Sequence, residues 1–130
     1  MDDTGGIVRI ASRHGYAETV ARLRTEIERR QLTLYAAIDQ QLEAERAGLR
    51  LRPTTLLIFG NPAAGAGVMQ ASPEAAIDLP LKILVWQDSE QVRVAVNDAA
   101  YLQRRHGLPA QVVPVLDGAR AVVEAALGPP

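Results

Sequence analysis

Gly60 and Gly65, with four residues between them, follow an apolar run in Gly60-Asn61-Pro62-Ala63-Ala64-Gly65-Ala66-Gly67, which is how a phosphate-binding loop begins. Such a loop then needs Lys to neutralise phosphate and Ser or Thr to hold magnesium. Ala66 and Gly67 stand there instead, so a nucleoside triphosphatase built on such a loop is excluded. The dinucleotide fingerprint fails as well, because Gln70 takes the place of its last glycine. What survives is a set of backbone N–H groups, from Gly60 to Met69, that would hold a carboxylate or another small anion. The plainer alternative, that the glycines and Pro62 only shape a tight turn, is the favoured one.

Asp39 and Asp78 stand at the edges of predicted strands, where two carboxylates in different environments would divide acid and base roles. Position favours a capping role for Asp39, which precedes a helix. Asp78, next to Leu79-Pro80, is an odd place for a cap, and its two readings stand level. The chain has two histidines. His106 sits beside Arg104, Arg105 and Gly107 at a helix end, where a cation favours the dipole. His14 lies among Ser12, Arg13 and Gly15 and reads as a surface turn. Neither has neighbours from which three or four metal ligands can be assembled, so no metal and no cofactor is expected. Arg46, Arg50 and Arg52, with Arg104 and Arg105, would make an anion-binding rim, but Glu43 and Glu45 among them favour a solvated face. Tyr35 and Trp86 either line a pocket or fill the core.

These residues belong to a chain of 130 residues with no cysteine, 48% hydrophobic and 22% charged residues, and 14 Lys plus Arg against 15 Asp plus Glu. That length suits one domain, residues 1–130 with an ordered core over about 6–127, and buries roughly two thirds of its unfolded surface without a staple. The missing cysteines exclude disulfides, thiolate zinc sites and a cysteine nucleophile. A net charge of -1 and 4% aromatic residues argue against nucleic acid, lacking both the field and the stacking platforms. No apolar run approaches the roughly 20 residues of a membrane span, and the start lacks the pattern of a secretory leader. The cytoplasm is the expected compartment.

Gly6 to Ala11 reads as a first strand. Tyr16, Val20, Leu23 and Ile27 recur at helical spacing, and Leu32 to Ile38 reads as a second strand with Leu32, Leu34, Ala36 and Ile38 on one face. Asp39 opens a short helix that ends at Gly48. Thr54 to Gly60 is apolar without alternation, as expected of a central strand covered on both faces. A turn and loop follow, with one helical turn at Val68 and Met69, then a short helix from Pro73 to Ala76. Leu81–Trp86 and Gln91–Asn97 form a hairpin, with Val92, Val94 and Val96 on one face. Helices follow over 98–107 and 117–127. This order predicts an α+β domain, with a mainly antiparallel or mixed sheet of about five strands packed by helices. One sheet face stays partly open, which suits a homodimer.

The segments Ile38-Asp39, Gly48-Leu49, Pro53 to Pro62 (PTTLLIFGNP) and Ala76 to Val85 (AIDLPLKILV) resemble the domain of unknown function 302 family over nearly the whole chain. The resemblance implies a compact α+β domain, often a dimer, with no agreed activity. The family frequently has His after Ile-Asp; Gln40 stands there, so any metal or proton-transfer role of that His is not expected in this chain.

The leading expectation is a homodimeric small-ligand-binding or accessory domain, taking a small molecule or anion at Asp39, Gly60, Asn61, Pro62, Gly65, Met69 and Asp78. An enzyme using Asp39 or Asp78 as acid or base, and a structural interaction module acting through an exposed sheet face, are the alternatives. No nucleic acid or membrane partner is expected.

Overall fold

The computed structural model describes residues 5–129; Met1–Thr4 and Pro130, the ends of the expected domain, lie outside the described residues. Five strands, β1 (Ile7–Ser12), β2 (Thr33–Asp39), β3 (Thr54–Gly60), β4 (Leu81–Asp88) and β5 (Gln91–Asn97), form one sheet in the order β1-β5-β4-β3-β2. Every pairing is antiparallel. Helices α1 (Tyr16–Arg29), α2 (Gln40–Arg46), α3 (Pro62–Ala71), α4 (Ala99–His106), α5 (Val113–Leu116) and α6 (Gly118–Leu127) complete an α+β fold, with 3-10 turns at Pro73–Asp78 and Ala110–Val112.

The main core lies between one face of the sheet and the pair α1 and α6. Leu23 and Ile27 of α1 and Val122 and Val123 of α6 meet Leu57, Phe59, Ile83, Val85 and Val94, each at most 1% exposed. The apolar stripes of both helices at helical spacing put these residues on single faces. β5 alternates as its sequence predicts, with Val92, Val94 and Val96 inward and Arg93 exposed. A second core of Val68, Ala75, Ala99, Leu102, Leu108 and Leu116 forms among α3, the turn Pro73–Asp78, α4 and α5. These elements gather at the end of the sheet where β3 finishes and β4 starts.

Three expectations need correction. β3 is an interior strand, but it is not covered on both faces: Thr55, Leu57 and Phe59 are buried while Thr54, Leu56 and Ile58 are only half-buried. Its apolar run reflects a helix-covered face and a face left open, a distinction that composition alone does not make. In β2 the predicted single face breaks, because the register with β3 shifts between Leu34 and Ala36. Leu34 pairs with Phe59 on the helix side, whereas Ala36 and Ile38 pair with Ile58 and Leu56 on the open side. The glycine-rich stretch is also no loop with one helical turn but the ten-residue helix α3. Asn61 caps it, its Oδ1 accepting from the N–H of Ala63 at 3.0 Å and of Ala64 at 3.2 Å, and Pro62 occupies the first turn. With Val68 1% exposed, cap and packing together offset the cost, about 1 kcal/mol each, of Gly65 and Gly67 in a helix.

Candidate ligand cavity

At the α3 end of the sheet, four chain segments leave a cavity of about 560 Å³. The turn from α1 into β2 brings Arg30, Leu32 and Tyr35. The passage from β3 into α3 brings Gly60, Asn61, Pro62, Ala64, Gly65 and Met69. Leu79, Pro80 and Leu81, leading into β4 through a cis Leu79-Pro80 bond, form another wall, and Pro114, Val115 and Gly118 close the α5–α6 side. Each segment arrives for a local reason. Gln31, at φ 57, turns the chain sharply from α1 into β2, the Asn61 cap starts α3 immediately after β3, and the second core holds α5 beside α3.

Among the described residues the lining is apolar except for Arg30, Tyr35 and Asn61, and contains no carboxylate. Asn61 commits its Oδ1 to the helix cap. Gly65 N–H donates to the Asn61 carbonyl at 2.8 Å, so the first turn of α3 is largely self-satisfied. Tyr35, 50% exposed at the bulge of β2, stands at the rim. Nothing lies within 4 Å of the position a Cβ on Gly65 would take, so this glycine keeps the space open rather than relieving a clash.

Behind Arg30 stands a small charged cluster. Glu26, 8% exposed, accepts from Arg29 at 3.0 and 2.6 Å and from Arg30 Nε at 2.7 Å. Hydrogen bonds from Arg29 and then Arg30 hold its carboxyl down at about 2, below its ordinary 4.5. A carboxyl lowered on folding stabilises the fold in full above its unfolded value and loses that contribution as pH falls through the folded one. Glu26→Gln should therefore lower the thermal midpoint at pH 7, and the gap to the parent chain should narrow between pH 4.5 and pH 2. An unchanged gap over that range would contradict the assignment.

Of the residues singled out from sequence, Gly60, Asn61, Pro62, Gly65 and Met69 lie on the cavity, and Asp39 and Asp78 do not. Asp39 is at the other end of β2, where its Oδ1 accepts from Leu42 N–H at 3.0 Å and caps α2. Asp78 accepts from Arg105 at 3.1 Å and meets His106 Nε2 at 2.5 Å, tying the turn Pro73–Asp78 to α4. His106 thus has a carboxylate partner besides the helix end that its sequence position suggests. His14 is not a surface-turn side chain: it is 10% exposed, with Nε2 3.1 Å from the Leu127 carbonyl, so it locks β1's exit to the end of α6. The arginines follow the favoured reading of a solvated face rather than a shared rim, dispersed among acids, Arg46 with Glu43, Arg52 with Asp88 and Arg105 with Asp78. Tyr35 lines the cavity, while Trp86 lies under the Arg52 guanidinium, 5.6 Å from its ring centre. Sequence reasoning missed Arg30 and the walls at Leu79–Leu81 and Pro114–Gly118. Arg29-Arg30-Gln31 looks like an ordinary basic helix end, and only tertiary structure brings it to the loop at Asn61.

No group of three or more His, Asp or Glu side chains among the described residues is placed to hold a metal. No helix among them is long and apolar enough to cross a membrane.

The crystal structure of an uncharacterized conserved DUF302 protein from Bacillus stearothermophilus superposes with a TM-score of 0.77, covering 94% of this chain and 95% of that one at 17% identity, which shows a shared fold. A protein named fluoride-specific ion channel FluC 1, from Brucella suis biovar 1 (strain 1330), is 40% identical over 104 residues, 79% of this chain and 41% of that protein. FluC 1 of Brucella abortus biovar 1 (strain 9-941) matches equally, over 38% of its length. The chain thus spans about two fifths of these relatives. The model of the domain of unknown function DUF302 matches residues 8–126, and together with this fold it places the chain in the DUF302 family.

Proposed function

We propose that the chain is a small-ligand-binding accessory domain that works as a homodimer, with the cavity beside α3 as its site. The cavity carries this reading. At about 560 Å³ it falls within the span of roughly 300–1,000 Å³ typical of small-molecule sites, and it is apolar with few polar groups, as such sites are. Gly65 adds support, since alanine would fit its helix without a clash, yet the position is left bare. The accessory part draws on the relatives: a segment that makes up 41% of a protein named as an ion channel is a portion joined to something else. The enzyme alternative has less behind it, because neither Asp39 nor Asp78 borders the cavity. Native mass spectrometry of freshly purified protein tests the reading. An excess mass released on activation, and lost from a chain whose cavity is filled by substitution, is the expected result; the same mass retained on the filled chain would refute it.

The dimer rests on the open sheet face. Ala36, Ile38, Leu56, Ile58, Leu84 and Ala95 face away from the helices, and α2, which touches β3, buries none of its own residues. A two-fold interface sets one patch against itself, so its centre must tolerate its own charge. The apolar strip is flanked on this face by Lys82, which stands opposite Ile58 and donates from Nζ to the Pro80 carbonyl at 3.0 Å, and by Arg93, held by Asp88 at 2.7 Å. Light scattering should give twice the chain mass, and Ile58→Asp should halve it; a monomeric parent chain would remove this part of the proposal.

A further inference from the structure

Resting on the cavity being a ligand site, we infer that its ligand is an organic anion, a carboxylate or a group of like charge on an apolar body, with its charged end at Arg30. Three observations converge. Among the described residues, Arg30 is the only charged one lining the cavity, and no acidic side chain lines it. Two guanidiniums, Arg29 and Arg30, share the single Glu26 carboxylate, so the cluster behind the wall keeps one net positive charge. Arg30 makes its bond to Glu26 through Nε, which leaves the outer donors of its fork out of that bond, and a fork of this kind matches a carboxylate.

The remainder of the lining sets the body of the ligand. Leu32, Leu79, Leu81, Met69, Pro114 and Val115 offer contact area but no hydrogen bonds, so sugars and other polyols would lose more solvation than they regain. A free inorganic anion would satisfy Arg30 but leave the apolar walls unused. An amphipathic acid matches both ends, and Tyr35, half-exposed at the rim, adds a hydroxyl able to donate to it.

The test compares octanoate with octanamide, two molecules with the same chain and different heads, by isothermal titration and ligand-observed NMR on the intact chain. Octanoate is expected to bind at least tenfold more tightly. Arg30→Met should erase that preference by weakening octanoate much more than octanamide, and Arg30→Lys, which keeps the charge but not the fork, should restore part of it. Equal Kd values for the two probes on the parent chain would overturn the anion inference. Octanamide binding that is lost on filling the cavity would leave the cavity reading standing in that case. If neither probe binds, both the anion inference and an apolar-ligand cavity fall together. A preference that survives Arg30→Met would place the charged head elsewhere and overturn the assignment to Arg30.

Discussion

Phenylalanine at Gly65 should reduce octanoate binding by at least a hundredfold while leaving the chain folded. The reason is local. Gly65 is helical with ordinary backbone angles, and a Cβ built on it meets no atom within 4 Å, so a larger side chain enters empty space rather than a neighbour. A benzyl group placed on this wall occupies volume that an apolar ligand needs, in a cavity of about 560 Å³ open to solvent along one side. Gly65→Ala supplies the control. It adds only a methyl group and removes the conformational freedom of glycine, so it should raise stability by about 0.5–1 kcal/mol. The pair separates the two roles of the residue: a ligand site predicts that alanine stabilises with binding nearly intact while phenylalanine abolishes binding. If phenylalanine leaves the Kd unaltered with the fold preserved, the ligand is not in this cavity.

Phe59→Ala should cost about 3–5 kcal/mol, the range for removing a buried aromatic side chain from a packed core. Phe59 is the only phenylalanine in the chain and is 0% exposed, in the cluster with Leu57, Ile83, Leu23 and Ile27. Because a domain's whole stability is about 5–15 kcal/mol, the urea midpoint should fall by roughly a fifth or more, with the slope of the transition little changed. Ile77→Ala is the contrast. At 70% exposed, Ile77 should move stability by no more than about 0.5 kcal/mol. Similar losses for the two variants would contradict the placement of the main core between the sheet and the pair α1 and α6. Phe59 also precedes Gly60, so its removal should loosen the β3 end of the cavity and weaken octanoate binding in the same variant.

Cavity and core are linked through this geometry. The cavity stands at the end of the sheet where the two cores meet, with α1 and α6 on one side and α3, α4 and α5 on the other. The cavity is lined by Arg30 and Leu32 from the first group and by Gly65 and Met69 from the second, so a molecule bound there would bridge the two. Binding should therefore raise the stability of the whole domain, by mass action on the folded state, rather than tighten one loop.

The amino-acid sequence by itself determined the elements whose signals are local. Val92, Val94 and Val96 alternate, so β5 has one inward face; Tyr16, Val20, Leu23 and Ile27 recur at helical spacing, so α1 has one apolar stripe. Asp39, Gly48 and Gly107 mark helix ends through caps and left-handed backbone that act over three or four residues. The family pattern, carried by segments between Ile38 and Val85, was legible for the same reason, being written in neighbouring residues. Gly60, Asn61, Pro62, Gly65 and Met69 drew notice as a loop, although their glycines concealed a helix. Tertiary structure decided the rest. The low helix propensity of glycine costs about 1 kcal/mol per residue and is overruled by a cap and by the burial of Val68. The bulge between Leu34 and Ala36 changes which face of β2 is open, and a register shift depends on the partner strand, not on β2 itself. Asp78 with His106, His14 with Leu127, and Arg30 with the wall at Leu79–Leu81 are separated by long stretches of chain. Their meetings follow from how the helices close over the sheet, because side-chain contact falls off within a few ångströms while sequence spacing says nothing of distance in space.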